Sequence, residues 1–180
     1  MTLAARLHAG ETLGDRIIKV DHAGEHGAVC VYLAQRWIAQ WRTPDLVPEI
    51  DDFIAHERRH RALFGAALAE RGRPRCRSYW LCGFGGYALG GITALFGRHA
   101  IAATTVAIEA VVLRHLDAQL TVLSLDDRAA CDIIGAIIDD EKTHHAQSVD
   151  RLGKPGFWTK LLLPIVGGAT EVVIWLGMKL

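Results

Sequence analysis

Two Glu-x-x-His tetrads constrain this chain more than any other feature: Glu57 to His60 and Glu141 to His144, each led by a lone glutamate at the same distance. Glu25 precedes Glu57 by 32 residues (57 − 25), and Glu109 precedes Glu141 by 32 (141 − 109). The two sets are therefore related by one offset of 84 (109 − 25, 141 − 57 and 144 − 60). Residues i and i+3 share a helix face, so each tetrad can offer a carboxylate and an imidazole to one point. Four Glu and two His in matched sets are the ligand inventory of a carboxylate-bridged di-iron or di-manganese site in a four-helix bundle. Oxygen and imidazole donors suit those metals better than thiolate-seeking ones. With 8 Glu and 9 His in 180 residues, isolated tetrads would be unremarkable, and two solvated helix faces are the plainer alternative. The equal 32-residue leads favour the metal site.

Punctuation along the chain predicts helices and no sheet, because no stretch alternates strictly between apolar and polar residues. A first helix is expected from about Thr12 to Trp41, stopped by Thr43-Pro44. A second is expected from near Pro48 to Gly72, ahead of Pro74. A Gly-rich apolar segment then covers Ser78 to Gly97. A helix from about His99 to Leu123, a capped turn at Ser124 to Asp127 and a helix to about Leu152 follow. Gly153 to Gly156 breaks the chain before an apolar tail, Phe157 to Leu180. Residue 125, midway between Glu109 and Glu141, falls in a predicted turn, which sets the pair at equal depth. Trp41, midway between Glu25 and Glu57, lies ahead of the turn predicted at Thr43 to Val47. Either the first helix ends earlier or the connection runs along the side of the bundle.

The residues around Glu109 (Val106, Ala107, Ile108, Val111, Val112 and Leu113) are apolar, and burying unpaired anions there is unfavourable. Two divalent cations would balance four carboxylates. Asp21 and Asp140 are candidates to accept the outer imidazole N–H of a metal-bound histidine, with surface solvation as the alternative. His22, His26, His56 and His145 adjoin ligand positions but point about 100° away from them, as neighbours on a helix do. They are expected to support the site or lie at the surface. Tyr32 shares the face of Glu25 and is expected to be a packing aromatic, with a hydrogen-bonding or redox role as the alternative.

Lys+Arg and Asp+Glu are balanced at 20 each, so no overall field favours nucleic acid. A basic run, Arg71 to Arg77, is expected to be either a solvated connection or a contact for anionic lipid head groups. Cys30, Cys76, Cys82 and Cys131 show no zinc spacing and read as free thiols. Met1 to Glu11 has no apolar core of a signal peptide. Ser78 to Gly97 has no Asp, Glu, Lys or Arg across 20 residues, enough in length for a bilayer core of about 30 Å. Pro164, Gly167-Gly168 and Glu171 interrupt the tail, so interfacial attachment is expected over a span.

The stretch from Asp15 to Ala28 (Asp-Arg-Ile-Ile-Lys-Val-Asp-His-Ala-Gly-Glu-His-Gly-Ala) resembles the N-terminal motif of the demethoxyubiquinone hydroxylase family, the di-iron hydroxylases of ubiquinone biosynthesis. The similarity continues through Tyr79 to Gly97, Thr105 to Glu109 and Asp140 to His145, and into the apolar tail. It includes all six ligand positions: Glu25, Glu57, His60, Glu109, Glu141 and His144. The resemblance implies an all-α, ferritin-like four-helix bundle with two additional apolar membrane-associating helical segments, 78–97 and 157–180. That bundle would be a single domain over 12–180, with 1–11 as a lead-in. It further implies a 3-demethoxyubiquinol 3-hydroxylase with two Fe ions and O2 as co-substrate. Its partners would be a prenylated benzoquinol, an electron donor such as NADH or another reductant, the membrane surface and other ubiquinone-biosynthesis proteins, with no nucleic acid. The expected location is peripheral, on the cytoplasmic face of a bacterial membrane or the matrix face of a mitochondrial one.

This chain departs from the family pattern at His26, where Tyr is usual, and at Ala110 and Leu116, the latter replacing an aromatic hydroxyl. The competing expectations are a ferritin-like oxidase or peroxidase acting on iron or peroxide, and a lipid- or quinone-binding scaffold with a structural metal.

Overall fold

The computed structural model describes residues 4–124, 126–154 and 156–180. The turn midpoint at residue 125 and the breaker Pro155 therefore lie outside the described residues. Six helices account for most of the chain, and no strand occurs among the described residues: α1 (Leu13–Arg42), α2 (Val47–Glu70), α3 (Tyr79–Leu95), α4 (Arg98–Leu123), α5 (Arg128–Leu152) and α6 (Phe157–Lys179). Local chemistry sets their starts. Thr12 and Asp15 cap α1 reciprocally: Asp15 N–H donates to Thr12 Oγ1 at 3.0 Å, and Thr12 N–H to Asp15 Oδ2 at 3.1 Å. Asp127 Oδ1 accepts from Ala130 N–H at 3.1 Å and opens α5. Between α3 and α4 the chain turns at Gly97 with φ +83°, a conformation that favours glycine.

Helices α1, α2, α4 and α5 form the bundle, as the hairpins α1–α2 and α4–α5; α3 lies along α1, and α6 along α4. α1 does not end early. It continues to Arg42, and the 3-10 turn Pro44–Leu46 buries Leu46 against an apolar cluster with Ala39 and Ile50. The connection therefore packs along the bundle side, which accounts for the offset midpoint of Glu25 and Glu57.

The core is layered. One apolar cluster joins Ile17, Ile18, Phe64, Leu68, Leu123 and Ile137; a second joins Val31, Tyr32, Leu46, Ile50, Phe53 and Ile101. Along α1, α2 and α4, the positions of Glu25, Glu57–His60 and Glu109 fall between these two clusters.

The Gly-rich segment is a helix despite glycine's poor propensity, because docking compensates. A Cβ at Gly86 would stand 2.3 Å from Gly27 O, and one at Gly90 would stand 2.2 Å from Val31 O. Only glycine lets α3 approach α1 that closely. Much of the outer face of α3 is apolar and exposed (Trp80, Phe84 and Ile92), as is that of α6 (Phe157, Ile165 and Trp175). Among the described residues, α6 is the one helix long and apolar enough to cross a bilayer, and little of it is fully buried. Pro164 sits inside it without ending it. Its far end is tied to the N-terminal segment: Arg6 N–H donates to Met178 O at 2.8 Å and Arg16 Nη1 to Gly177 O at 3.1 Å. Arg16 and Lys19 in turn both hold the buried Glu11 at 2.7 Å.

The basic run is largely engaged within the fold. Arg71 pairs with Asp127 and Asp15, Arg73 pairs with Asp15, and Arg75 covers the Tyr79 ring. All four cysteines are free thiols.

Gly90→Ala should destabilise the protein by about 2 kcal/mol, since its new methyl meets fixed backbone. Gly91→Ala, with nothing within 4 Å, should be neutral or slightly stabilising. Thermal unfolding of both variants checks this; equal melting temperatures would mean that α3 is not held by its contact with α1.

Candidate metal centre

All six expected residues converge in the layer between the two apolar clusters, and all are buried. They form two overlapping sets of four donors. One contains Glu25, Glu57, His60 and Glu141; the other contains Glu57, Glu109, Glu141 and His144; the donor atoms in each lie within 4.8 Å of one another. Glu57 and Glu141, the carboxylates of the two tetrads, belong to both sets. The lone glutamates each belong to one set, Glu25 with His60 and Glu109 with His144.

Both imidazoles turn Nδ1 inward. His60 Nδ1 lies 2.9 Å from Glu141 Oε1 and 3.8 Å from Glu25 Oε2, and His144 Nδ1 lies 3.5 Å from Glu57 Oε1. Their outer nitrogens are engaged crosswise. His60 Nε2 meets Asp140 Oδ2 at 3.0 Å, and His144 Nε2 meets His56 Nδ1 at 2.8 Å. Asp140 and His56 are themselves 84 residues apart (140 − 56), so the residue before each tetrad supports the histidine of the other. Asp140 is further held by Arg59. Tyr32 Oη donates to Glu109 Oε1 at 2.9 Å, so this residue is a hydrogen-bond donor to the cluster and not only a packing aromatic.

The expectation for Asp21 is not met. Instead of an imidazole N–H, Asp21 Oδ1 accepts from Gln119 Nε2 at 2.9 Å, because its position on α1 faces α4. His22 and His26 both stack on Tyr79, with ring centroids 5.1 and 4.0 Å away, and neither they nor the half-buried His145 join a donor set. Leu116 is buried in the apolar core. Gln119 carried no signal in the sequence, since no motif or spacing pointed to it.

The chemistry of the cluster fits cations. Glu57 Oε1, Glu141 Oε1, His60 Nδ1 and His144 Nδ1 are all buried and none makes an aligned hydrogen bond among the described residues, His60 Nδ1 and Glu141 Oε1 standing 2.9 Å apart out of line. Such orphaned acceptors are costly unless something positive fills the space between them. Burial is the largest cause that pushes all four carboxyls above the ordinary range, and neighbouring carboxylates add to it: Glu57 on Glu25, Glu141 on Glu109, Glu109 on Glu57 and Glu57 on Glu141.

A cavity of about 290 Å³ runs from these four glutamates between α1 and α4. It reaches α3 at Leu81, Gly85 and Leu89, and α6 at Thr170, Val173 and Ile174. Its walls are mostly apolar, so the polar cluster is joined to the two helices with exposed apolar faces.

The raised carboxyl values set a pH dependence. The metal-free folded state holds extra protons, so the stability these groups contribute is present below their ordinary value of 4.5 and is lost as pH rises through their folded values. The melting temperature of chelator-treated protein is therefore expected to fall from about pH 5 to about pH 8. Mn(II) or Fe(II) should restore it at neutral pH by taking the place of the protons. A metal-free profile that is flat with pH would mean that the carboxyls are not buried together.

Comparison with known proteins places this arrangement. The family described as ubiquinone biosynthesis protein COQ7 matches residues 12–177, which include every residue of the donor cluster. The NADPH-dependent 3-demethoxyubiquinone 3-hydroxylase of Dictyostelium discoideum mitochondria is 33% identical over 171 residues, covering 92% of this chain and 76% of that protein. The human mitochondrial protein of the same name is 31% identical over 171 residues, covering 92% and 77%. The 3-demethoxyubiquinol 3-hydroxylase of Rhodospirillum rubrum is 31% identical over 170 residues, again covering 92% and 77%. The match spans all six helices and the whole donor layer, and the chain belongs to the COQ7 family of ubiquinone biosynthesis proteins.

Proposed function

We propose that this protein is a 3-demethoxyubiquinol 3-hydroxylase that inserts one oxygen atom of O2 into the ring of a prenylated benzoquinol. The observation that carries this is the apolar cavity that ends on four buried glutamates and reaches two apolar helices. A ring with a long isoprenoid tail needs such a route, whereas a ferroxidase or peroxidase needs only an open metal site. The names of the relatives agree with the ring substrate. The balance is quinol + O2 + two electrons + two protons → hydroxylated quinol + water, with the electrons drawn from a reductant such as NADH or NADPH.

Two iron ions would be held by Glu25, Glu57, His60, Glu109, Glu141 and His144. When bound they supply the activation of O2 that no side chain performs. The residues supply the rest. Glu57 and Glu141 are shared between the two ion positions. Asp140 and His56 fix the outer nitrogens of His60 and His144, which sets the ring orientations. Tyr32 fixes Glu109 through its hydroxyl. The apolar walls from α3 and α6 keep bulk water from the ring and the oxidant.

The same reading puts α3 and α6 against a bilayer surface. Trp80, Phe84 and Trp175 are 71%, 77% and 59% exposed, and burying such side chains in the interface is favourable by about 25 cal/mol per Å². Arg77, exposed at the head of α3, would face lipid head groups.

Three measurements test this. Glu57→Ala should lose both ions, whereas Glu25→Ala should keep the one held by Glu57, Glu109, Glu141 and His144, as read by metal analysis after anaerobic iron loading. A deletion strain should accumulate the demethoxyquinone, and Glu109→Ala should fail to clear it. A normal quinone profile in that strain, with purified protein that only oxidises Fe(II), would overturn the hydroxylase in favour of the ferroxidase. The protein should co-float with liposomes, and Trp80→Ser with Phe84→Ser should reduce flotation severalfold; full solubility without any co-flotation would exclude the membrane face.

A further inference from the structure

Most arginines of this chain are held by carboxylates, as Arg16 is by Glu11, Arg36 by Asp51, Arg71 by Asp127 and Arg98 by Asp45. Arg58, Arg61, Arg75 and Arg77 form no ion pair among the described residues, and two of them are held by rings instead. Arg61 on α2 donates from Nη1 to His26 Nδ1 at 3.2 Å. Arg75 stands over the Tyr79 ring, 4.8 Å from its centroid. His26 lies flat on the same ring, with centroids 4.0 Å apart and planes within 2°, and Trp80 meets His26 edge-on at 5.8 Å. An imidazole nitrogen that accepts from arginine carries no proton, so that ring is neutral. These contacts therefore orient the guanidiniums without neutralising them.

The four arginines border one groove, with α1 as its floor, α2 on one side and the head of α3 on the other. Gly65 of α2 packs on His22, where a Cβ would stand 3.3 Å from His22 Nε2. Arg58, Arg61 and Gly65 share that edge of α2 through their i, i+3, i+7 spacing. Burial, and after it Arg75 and Arg61, pushes His22 down to about 4, so both positive charges bear on one point of the floor. Arg77 is exposed where the chain enters α3. Beside it Trp80 and Phe84 are 71% and 77% exposed. Tryptophan favours the head-group level of a bilayer, and a guanidinium fork matches the oxygens of a phosphate. The chain has a formal net charge of zero, so any preference for an anionic surface must come from a local cluster such as this one.

We infer that this groove binds the phosphate of an anionic phospholipid head group, through Arg61 and Arg75 with Arg58 and Arg77 at its rim. The inference rests on the bilayer face proposed above and gives that face a lipid class. A soluble phosphate shares the chemistry, but the exposed apolar surface running from Trp80 to Phe84 beside the arginines favours the lipid. None of the four arginines lines the cavity or belongs to a donor set, so lipid choice is separable from the metal centre.

The test uses the full chain with vesicles of phosphatidylcholine, alone or mixed with phosphatidylglycerol, and reads partition by flotation. The unmodified protein is expected to prefer the mixed vesicles by about tenfold or more, since one basic side chain at an anionic surface is worth about fivefold. Arg61→Gln with Arg75→Gln should lower partition onto mixed vesicles by about 25-fold. Partition onto phosphatidylcholine and the metal stoichiometry should not change. Arg61→Lys with Arg75→Lys keeps the charge but loses the fork and the ring contacts, and should still weaken binding severalfold. Arg128→Gln removes an equal charge at the head of α5 and should change partition by less than about twofold. Equal partition onto both vesicles would overturn the inference alone. So would lysine variants that bind as well as the unmodified protein, because the groove would then be only a diffuse attraction. Inorganic phosphate or NADPH that binds without vesicles and is lost in the glutamine variant, with anionic partition unchanged, would assign the groove to a soluble phosphate instead. No flotation with either vesicle would overturn the bilayer face as well.

Discussion

Glu25, Glu57, Glu109 and Glu141 share one donor cluster inside the bundle, and an arrangement of four buried carboxyls is unfavourable unless protons or cations neutralise it. The rest of the molecule is organised around that cluster. Two apolar layers close it off on either side along the helices, which raises the cost of leaving the charges unmatched. The same layers make bound cations more strongly held, because the low dielectric that penalises the lone anion strengthens its attraction to a metal. Two divalent ions would balance the charge of four carboxylates, so metal binding and stability would draw on one electrostatic match.

The 84-residue offset is more than a pattern of ligands. It extends to His56 and Asp140, which cross over to support His144 and His60. Here the approximate symmetry is broken in charge: one imidazole is backed by an anion that Arg59 also holds, the other by a second imidazole. Tyr32 breaks it again, since its hydroxyl fixes Glu109 on one side of the cluster. The two donor sets are thus alike in donor count and unlike in surroundings.

Helices α3 and α6 add a mostly apolar cavity to a bundle whose buried cluster could hold metal ions. Gly86 and Gly90 let α3 press its backbone against α1, and α6 lies along α4, so the cavity between α1 and α4 is walled by both. The outer faces of the same helices expose large apolar side chains. A ligand that partitions into lipid would meet one continuous apolar surface on its way to the carboxylates.

Helix number, helix ends and the six donors were legible in the sequence because each depends on local chemistry. A 3.6-residue period, a Thr12–Asp15 capping box and an i,i+3 tetrad act within a few residues of one another. The matched leads of 32 residues carried the long-range pairing as well, since two antiparallel hairpins impose it. What the sequence left open were contacts between residues on different helices with no common spacing. Asp21, one turn before Glu25, reads as a support for a metal-bound histidine, and only the packing of α1 on α4 turns it toward Gln119. Tyr32 reads as a core aromatic until Glu109 is brought to its hydroxyl. The glycines of α3 read as weak helix formers until the α1 backbone is seen against them. Local propensity and motif spacing determined the elements and their donors; the relative rotation of the helices decided which unpaired polar atoms face the cavity, because that rotation follows from packing the whole core at once.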